Sequence, residues 1–179
     1  MNLLFERIRS ASNHYLEELL PLYLESFPQE ERRDSNALLI MLHEPDMYFS
    51  AVLLENQLVG MVVYWKFAGF LYLEHLAVFK DQRGKKIGEQ VLKLLQAEGE
   101  PILLEVEMPF DEFSTRRIVF YNRSGFSALP IHYLQPPYRK GESVQPMMLF
   151  SDRTEWESEK LNKAIELFQY RVYGAKRKK

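Results

Sequence analysis

The stretch "LAVFKDQRGKKIGEQVLKLLQ", Leu76 to Gln96, joins an apolar strand to an amphipathic helix. The apolar positions of the helix recur at helical spacing, at Ile87, Val91, Leu94 and Leu95. A basic turn, Arg83 to Gly88, overlaps the start of this helix, and its two glycines weaken the helix there. The first N–H groups of a helix lack internal partners and carry partial positive charge. The turn is therefore suited to bind phosphate, although a plain connection with solvated lysines explains the same residues.

The composition narrows the class of protein. The chain has 179 residues, of which 46% are hydrophobic and 27% charged, as in one globular domain. Its net charge of -2 gives no field that would attract nucleic acid or an anionic membrane. The absence of cysteine excludes disulfides, thiolate metal sites and a cysteine nucleophile. With no signal peptide and no apolar run of ~20 residues, the sequence predicts a cytoplasmic protein.

Around the basic turn, the chain alternates between strand and helix patterns. Turn residues at 55–57 and 68–69 divide residues 48–79 into three successive strands. Ser10 or Ser12 can cap a first helix, with its apolar stripe running from Tyr15 to Leu24. The other predicted elements are a strand at 1–9, a helix from about 29 to 42, strands near 101–108, 126–134 and 144–150, and helices near 114–123 and 155–173.

This order of elements predicts an α/β (α+β) fold. It comprises a mixed, mostly antiparallel sheet of about six or seven strands with helices on both faces. Residues 1–151 form this part, and residues 152–179 add a C-terminal amphipathic helix and a basic tail to the same single domain. We expect the tail to be solvated rather than to bind RNA. The late strands and the last helix offer a surface for a homodimer.

Two segments, "LEHLAVFKDQRGKKIGEQVL" and "RRIVFYNRSGF", together resemble the GCN5-related N-acetyltransferase (GNAT) superfamily. Its signature, [RQ]-x-x-G-x-[GA], aligns with Arg83 first and Gly88 last. Lys86 replaces the usual central glycine, so four amides can face a pyrophosphate if Lys86 keeps a helical backbone. Ser114 replaces a common asparagine. The family's aromatic-Y-x-x-x-G-F element is matched by Phe120, Tyr121, Gly125 and Phe126.

The resemblance implies that acetyl-CoA is the co-substrate. In the family, the pantetheine arm enters a gap beside the fourth strand, where the main chain of Leu76, Ala77 and Val78 would pair with it. Tyr121 would also contact the cofactor. The residues expected around the pyrophosphate are Arg83, Gly84, Lys85, Lys86, Ile87 and Gly88. No cluster of His, Asp and Glu has metal-ligand spacing, so we predict no metal.

The resemblance also implies acetyl transfer to a primary amine by direct attack in a ternary complex. Tyr121 matches the position that protonates the leaving thiolate, and a phenol with a pKa near ~10 stays protonated at neutral pH. The N–H near Val78 would meet the oxyanion. Glu74 is the first candidate for the base and Glu105 the second, with a water chain as a further route. These carboxylates could instead only attract a cationic amine.

The sequence alone does not identify the molecule that accepts the acetyl group. Phe27 and Pro28 fall where relatives contact the acceptor, and Glu107 suggests a cationic one. A small amine or polyamine-like molecule is the first hypothesis, and a protein N-terminus or lysine is the alternative. A non-catalytic acyl-CoA sensor is a third reading. We expect His75 and His132 to be packing or rim residues.

Overall fold

We analysed a computed structural model, which describes residues 2–175. The chain divides after Glu100 into two compact units. The first unit holds strands β1 (Leu3–Arg7), β2 (Met47–Leu54), β3 (Gln57–Phe67) and β4 (Phe70–Val78). Each of these strands pairs antiparallel with the next. The three successive strands are as predicted.

The turns of this meander follow from their residues. Glu55 and Asn56 have φ of 51° and 65°, and Gly69 has φ of 87°. Positive φ at both central residues, as at Glu55 and Asn56, is what a type I′ hairpin needs, and its twist matches that of the strands. In the second turn the positive φ falls on Gly69, which has no side chain to oppose it. The hairpins therefore fix the register of β2, β3 and β4.

One irregularity interrupts the pairing of β3 with β4. Leu73 pairs with Tyr64 and His75 pairs with Val63, so Glu74 is an extra residue on β4. Such a β-bulge bends the strand and increases its local twist. Glu74, one of the two candidate bases, is therefore the residue that the register between the two strands skips.

The helices of the first unit are α1 (Leu16–Ser26), α2 (Ser35–Met41) and α3 (Ile87–Gln96). Ser10 and Ser12 hydrogen-bond each other and do not cap α1, so that prediction is wrong. Asn13 Oδ1 instead accepts from the Tyr15 N–H, at 3.0 Å, just before the helix. Along α1 the buried apolar positions are Leu16, Leu19, Leu22 and Tyr23, whereas Leu24 is exposed.

The predicted long helix from residue 29 to Leu42 is also wrong. A single 3-10 turn, Gln29–Glu31, is followed by extended backbone at Arg32. α2 begins only after Asp34, whose side chain accepts from Ala37 N at 2.8 Å. An Asp at this position is a strong helix N-cap, and it starts a new helix instead of continuing the old one.

The second unit holds four strands and two helices. β8 pairs antiparallel with each of the other three strands. The one strand expected over residues 126–134 is split at Pro130, which has no N–H to give to a ladder, so residues 2–175 contain eight strands instead of six or seven. The elements are β5 (Ile102–Glu107), α4 (Glu112–Arg123), β6 (Ser127–Ala128), β7 (Tyr133–Gln135), β8 (Gln145–Ser151) and α5 (Ser158–Tyr173).

Helix ends in this unit carry recognisable signals. Asp111 and Ser114 form a capping box at the start of α4, with Asp111 Oδ1 2.7 Å from Ser114 N. Gly174 ends α5 with φ of 69°. The predicted basic tail lies outside the described residues, and the single-domain assignment with its boundary at residue 151 stays a prediction. Within residues 2–175, no helix combines the length and apolar character needed to cross a membrane.

Candidate active site

The basic turn enters α3 through two residues with left-handed backbone. Gly84 has φ of 80°, and Lys86, the N-cap of α3, has φ of 59° and ψ of 19°. The condition that Lys86 keeps a helical backbone is therefore not met, because its φ and ψ lie in the left-handed region. The family's central glycine suits the same conformation. The first N–H groups of α3 receive no side-chain cap from Lys86.

The side chains of the turn lie close to the end of β4. Arg83 Nε donates to the Val78 carbonyl at 3.1 Å, and Lys85 Nζ lies 2.9 Å from Gln82 Oε1. Leu76, Ala77 and Val78, the expected cofactor-pairing segment, have register partners on β3. The structure thus places the Arg83 side chain at the end of β4, where its guanidinium is hydrogen-bonded to the Val78 carbonyl.

The left-handed Lys86 leads to a test of backbone strain. We expect Lys86→Gly to raise the free energy of unfolding by up to about 1 kcal/mol, since a non-glycine residue in this region costs roughly 1–2 kcal/mol. For a chain of this size that is roughly 2–4 °C in Tm. Acetyl-CoA affinity should stay within a few-fold, because loss of the charge and easier backbone approach oppose each other.

Lys85→Gly is the matched control. Lys85 is also exposed but is absent from the residues with positive φ, so glycine there relieves no strain, adds freedom to the unfolded chain and removes the exposed contact with Gln82. Thermal denaturation of both variants should give shifts of opposite sign. A lower Tm for Lys86→Gly would mean that the lysine side chain stabilises the turn by more than its backbone strain costs.

Glu74, the first candidate base, is sealed inside the first unit. Its side chain is 0% exposed and forms an ion pair with Arg33, whose side chain is 6% exposed. Trp65 Nε1 donates to the other carboxylate oxygen at 2.6 Å. Both oxygens therefore have strong donors, and no part of the side chain reaches solvent.

The residues around Phe27 meet β4 next to the bulge. The Phe27 ring packs on His75 with ring centroids 4.3 Å apart, and on Tyr23 at 5.7 Å. Burial lowers the pKa of His75 to about 4, an effect that Glu74 opposes and Arg33 reinforces. His75 is thus a neutral packing residue at pH 7, as predicted, and His132 is exposed. Pro28 is exposed beside Phe27.

Glu105 accepts hydrogen bonds from three neutral donors in the second unit. The hydroxyls of Tyr133 and Tyr173 and the Gln135 amide donate to its carboxylate, with Tyr173 Oη at 2.5 Å. Gln169 of α5 donates to Tyr133 at 3.2 Å. Burial and the charge of Glu105 raise the pKa of Tyr133. The C-terminal helix therefore helps to hold this half-buried carboxylate.

Tyr121 lies in α4 close to a second ion pair. Arg117 Nη2 is 2.8 Å from Glu107 Oε2, and Glu107 is buried. Burial raises the pKa of Tyr121 to about 12, with a smaller lowering by Arg117 and a raising by Glu107. Two of the predicted site residues, Glu107 and Tyr121, are thus brought together. Ser114 serves the capping box of the same helix.

One cavity lies beside the basic turn and another along α4. One of about 500 Å³ is lined by residues of α1 and by Phe79, Lys80, Asp81 and Arg83, beside the basic turn. Another of about 640 Å³ follows the outer face of α4 and contains none of the predicted site residues. Among residues 2–175, no cluster of three or more His, Asp or Glu side chains could hold a metal ion.

Sequence reasoning missed the partners of the two candidate bases. Arg33 was assigned to the interior of a predicted helix, and Trp65 to an ordinary strand position. Tyr133 and Tyr173 are 28 and 68 residues from Glu105, so no local pattern links them to it. The one available signal was a charged residue, Glu74, on an apolar strand, which requires a buried partner.

Known proteins match the chain along most of its length. A family model described as "Acetyltransferase (GNAT) family" matches residues 13–126. "Putative acetyltransferase YjbC" of Bacillus subtilis (strain 168) is 30% identical over 151 residues, which are 81% of this chain and 76% of that protein.

Solved structures of acetyltransferases have the same fold as this chain. "Putative acetyltransferase from GNAT family from Bacteroides thetaiotaomicron" is 32% identical, with a TM-score of 0.87 over 97% of this chain and 99% of that one. A GNAT family acetyltransferase from Elizabethkingia anophelis with acetyl-CoA bound is 19% identical, with a TM-score of 0.54 over 84% and 97%. The predicted fold class is confirmed. The chain belongs to the GNAT family of acetyltransferases, and its enzyme class is that of the acyltransferases.

Proposed function

We propose that the protein is an acetyl-CoA-dependent N-acetyltransferase that modifies a primary amine by direct attack in a ternary complex. The observation that carries the proposal is the basic turn. Its backbone takes the left-handed form that the family signature supports with glycine, and it opens an α3 whose first turn has no side-chain cap. Backbone N–H groups at such a helix start bind anionic groups.

The cofactor would bind main-chain groups at the end of β4 and at the start of α3. The pyrophosphate would bind the turn from Arg83 to Gly88, and the pantetheine arm would pair with Leu76, Ala77 and Val78. An acetyl-CoA-bound GNAT structure with the same fold supports acetyl-CoA as the co-substrate. Lys85 and Lys86 are both exposed and add charge complementary to phosphate.

In the chemical step, Tyr121 protonates the departing thiolate and the Val78 N–H stabilises the oxyanion. For the base we propose Glu105 ahead of Glu74, because the Glu74 carboxylate is paired with the Arg33 guanidinium and its side chain is 0% exposed, whereas the tyrosine and amide groups that donate to Glu105 are neutral. A base must touch the amine or a water that does. No cysteine is present to form an acyl-enzyme, which agrees with direct attack.

The acceptor that we propose is a small or polyamine-like amine contacting Phe27, Pro28 and Glu107. A protein N-terminus or lysine is the alternative within the same chemistry. We also propose a cytoplasmic location and, through the late strands and α5, a homodimer. The net charge of -2 supports the absence of a nucleic-acid partner.

A thermal shift with acetyl-CoA tests the cofactor site. At a concentration of 100 Kd the cofactor should stabilise the native state by about 2.7 kcal/mol, or roughly 5–10 °C in Tm. Gly88→Val should remove most of this shift, because its side chain occupies space beside the N–H groups of the first turn. Lys93→Val, farther along the exposed side of α3, should keep it. Equal shifts for both variants would move the cofactor away from this turn.

A thiol-release assay with a panel of amines and peptides then tests catalysis and the acceptor. Turnover with a polyamine or another small amine supports the proposal, and turnover with peptides alone supports the alternative. Binding of acetyl-CoA without turnover on any acceptor would instead favour a sensor.

A further inference from the structure

The connection between α1 and α2, residues 27–34, which we call the acceptor loop, is fixed at several points. Arg32 Nε donates to the Phe27 carbonyl at 3.0 Å, which closes the loop on itself. The Arg33 N–H donates to the Tyr23 hydroxyl of α1 at 2.9 Å. The Arg33 guanidinium reaches Glu74 of β4. The loop is therefore tied both to α1 and to the sheet.

The link to the sheet is a buried ion pair at the β-bulge. Glu74 is the extra residue of β4, so its side chain does not follow the alternation that the pairing imposes on its neighbours. Its carboxylate accepts from Arg33 and, at 2.6 Å, from Trp65 Nε1 of β3. One carboxylate thus joins the loop to two strands.

These contacts are unsuited to a general base. A proton added to Glu74 would leave the Arg33 guanidinium buried beside a neutral group, which is strongly unfavourable. The carboxylate would also have to be reached by the amine or by water, yet its side chain is 0% exposed. Holding the loop is the role that the contacts support.

The Arg33–Glu74 pair, His75 and Tyr23 together carry no net charge, and half-buried Arg32, which donates to the Phe27 carbonyl, adds one positive charge beside them. Arg33 and Glu74 cancel each other. The pKa of His75 is lowered to about 4 by burial, so His75 is neutral at pH 7. Burial, and then the charge of Glu74, raise the pKa of Tyr23, which stays protonated. The wall behind Phe27 is therefore aromatic, and the Arg32 guanidinium is its charged neighbour.

We propose that Glu74 and Arg33 are positioning residues, which fix the acceptor loop, and with it Phe27, on β3 and β4, and that Glu74 takes no part in proton transfer. The inference rests on the proposed function in one respect, namely that the acceptor amine contacts residues 27–34. The loop contacts on which it is built hold independently of any activity.

The test uses three variants of the full chain. Glu74→Gln and Arg33→Met each remove one charge of the pair, and the double variant removes both charges while an amide can still accept from Trp65. Arg116→Met is the control, because its pair with Glu112 is on the surface, with side chains 69% and 74% exposed. Steady-state kinetics with the best amine, Tm and hydrogen exchange of residues 27–34 are measured for all four.

If the pair positions the loop, both single variants raise the amine KM by roughly tenfold or more and speed hydrogen exchange in the loop. The double variant regains Tm relative to both and keeps kcat within a few-fold of wild type. A loss of kcat of roughly 10²-fold in the double variant, with a changed acid limb of the pH profile, would make Glu74 the base and overturn the proposal.

Hydrogen exchange separates this inference from the proposed function. Exchange in residues 27–34 that stays unchanged in both single variants overturns the positioning role, whatever the enzyme does. Failure of the wild-type protein to acetylate any amine overturns the proposed function, whereas faster loop exchange in the single variants would still support the anchoring by Arg33 and Glu74.

Discussion

Tyr121→Phe should lower kcat by roughly 10²-fold, the low end for the loss of a general acid, which is about 2.7 kcal/mol in the barrier. The hydroxyl is the only group deleted. Burial raises the pKa of Tyr121 to about 12, so the phenol holds its proton throughout the neutral range. The amine KM and the acetyl-CoA affinity should barely change, because the lost interaction belongs to the transition state.

The packing around the ring should survive this substitution. The Tyr121 ring contacts Phe126 and Phe150, with centroids 6.0 and 6.5 Å away, and phenylalanine keeps both contacts. Tyr15→Phe removes a hydroxyl near Glu6, at 3.5 Å, and serves as a matched control with unchanged kcat. Full kcat in Tyr121→Phe would return Tyr121 to a packing role and leave the thiolate to be protonated by water.

Gly60→Ala should have the other large effect, on both stability and cofactor binding. A Cβ at Gly60 would lie 2.3 Å from the Ala77 carbonyl oxygen and 3.0 Å from Val78 Cα. Both are main-chain atoms, so β3 and β4 must separate, which should cost about 1–3 kcal/mol or more. The main chain of Ala77 and Val78 is the proposed pairing segment, and acetyl-CoA Kd should rise by at least roughly tenfold.

Gly69→Ala distinguishes this clash from ordinary glycine strain. Gly69 has φ of +87°, and a Cβ added there would meet nothing within 4 Å, so alanine brings only backbone strain of roughly 1–2 kcal/mol. Denaturant unfolding and calorimetric titration of both variants provide the comparison. If Gly60→Ala binds acetyl-CoA as well as Gly69→Ala does, the Ala77–Val78 segment does not pair with the cofactor.

Local signals in the sequence were enough for the elements around the proposed cofactor site. The turns at 55–56 and 68–69 fixed the meander, and the spacing after Ile87 fixed α3, because turn chemistry and helical period are properties of adjacent residues. The backbone of Lys86 was misjudged even though the family pattern has glycine there. A glycine in a family pattern often marks a position of positive φ, and Lys86 adopts that conformation.

What the sequence could not supply are the features made by distant residues. Arg33 and Glu74 are 41 positions apart, and the bulge at Glu74 leaves no mark on the apolar pattern of β4. The sequence alone does not show whether Asp34 continues the predicted second helix or caps a new one. The buried ion pair of Arg33, one residue earlier, favours the new helix. The Glu105 cluster likewise depends on α5, well beyond the family match at residues 13–126.

The bulge at Glu74 also affects how β4 can change through evolution. Every register pair from Phe70 to Val78 forms without residue 74, so a deletion of this single codon would leave the ladder between β3 and β4 complete. Selection can act on residue 74 through the bend that the bulge gives the strand and through its side-chain contacts, among them those with Arg33 and Trp65. Lineages of this family that lack an arginine at position 33 should be able to shorten the strand or to replace the carboxylate, whereas those that keep the arginine should keep the carboxylate as well.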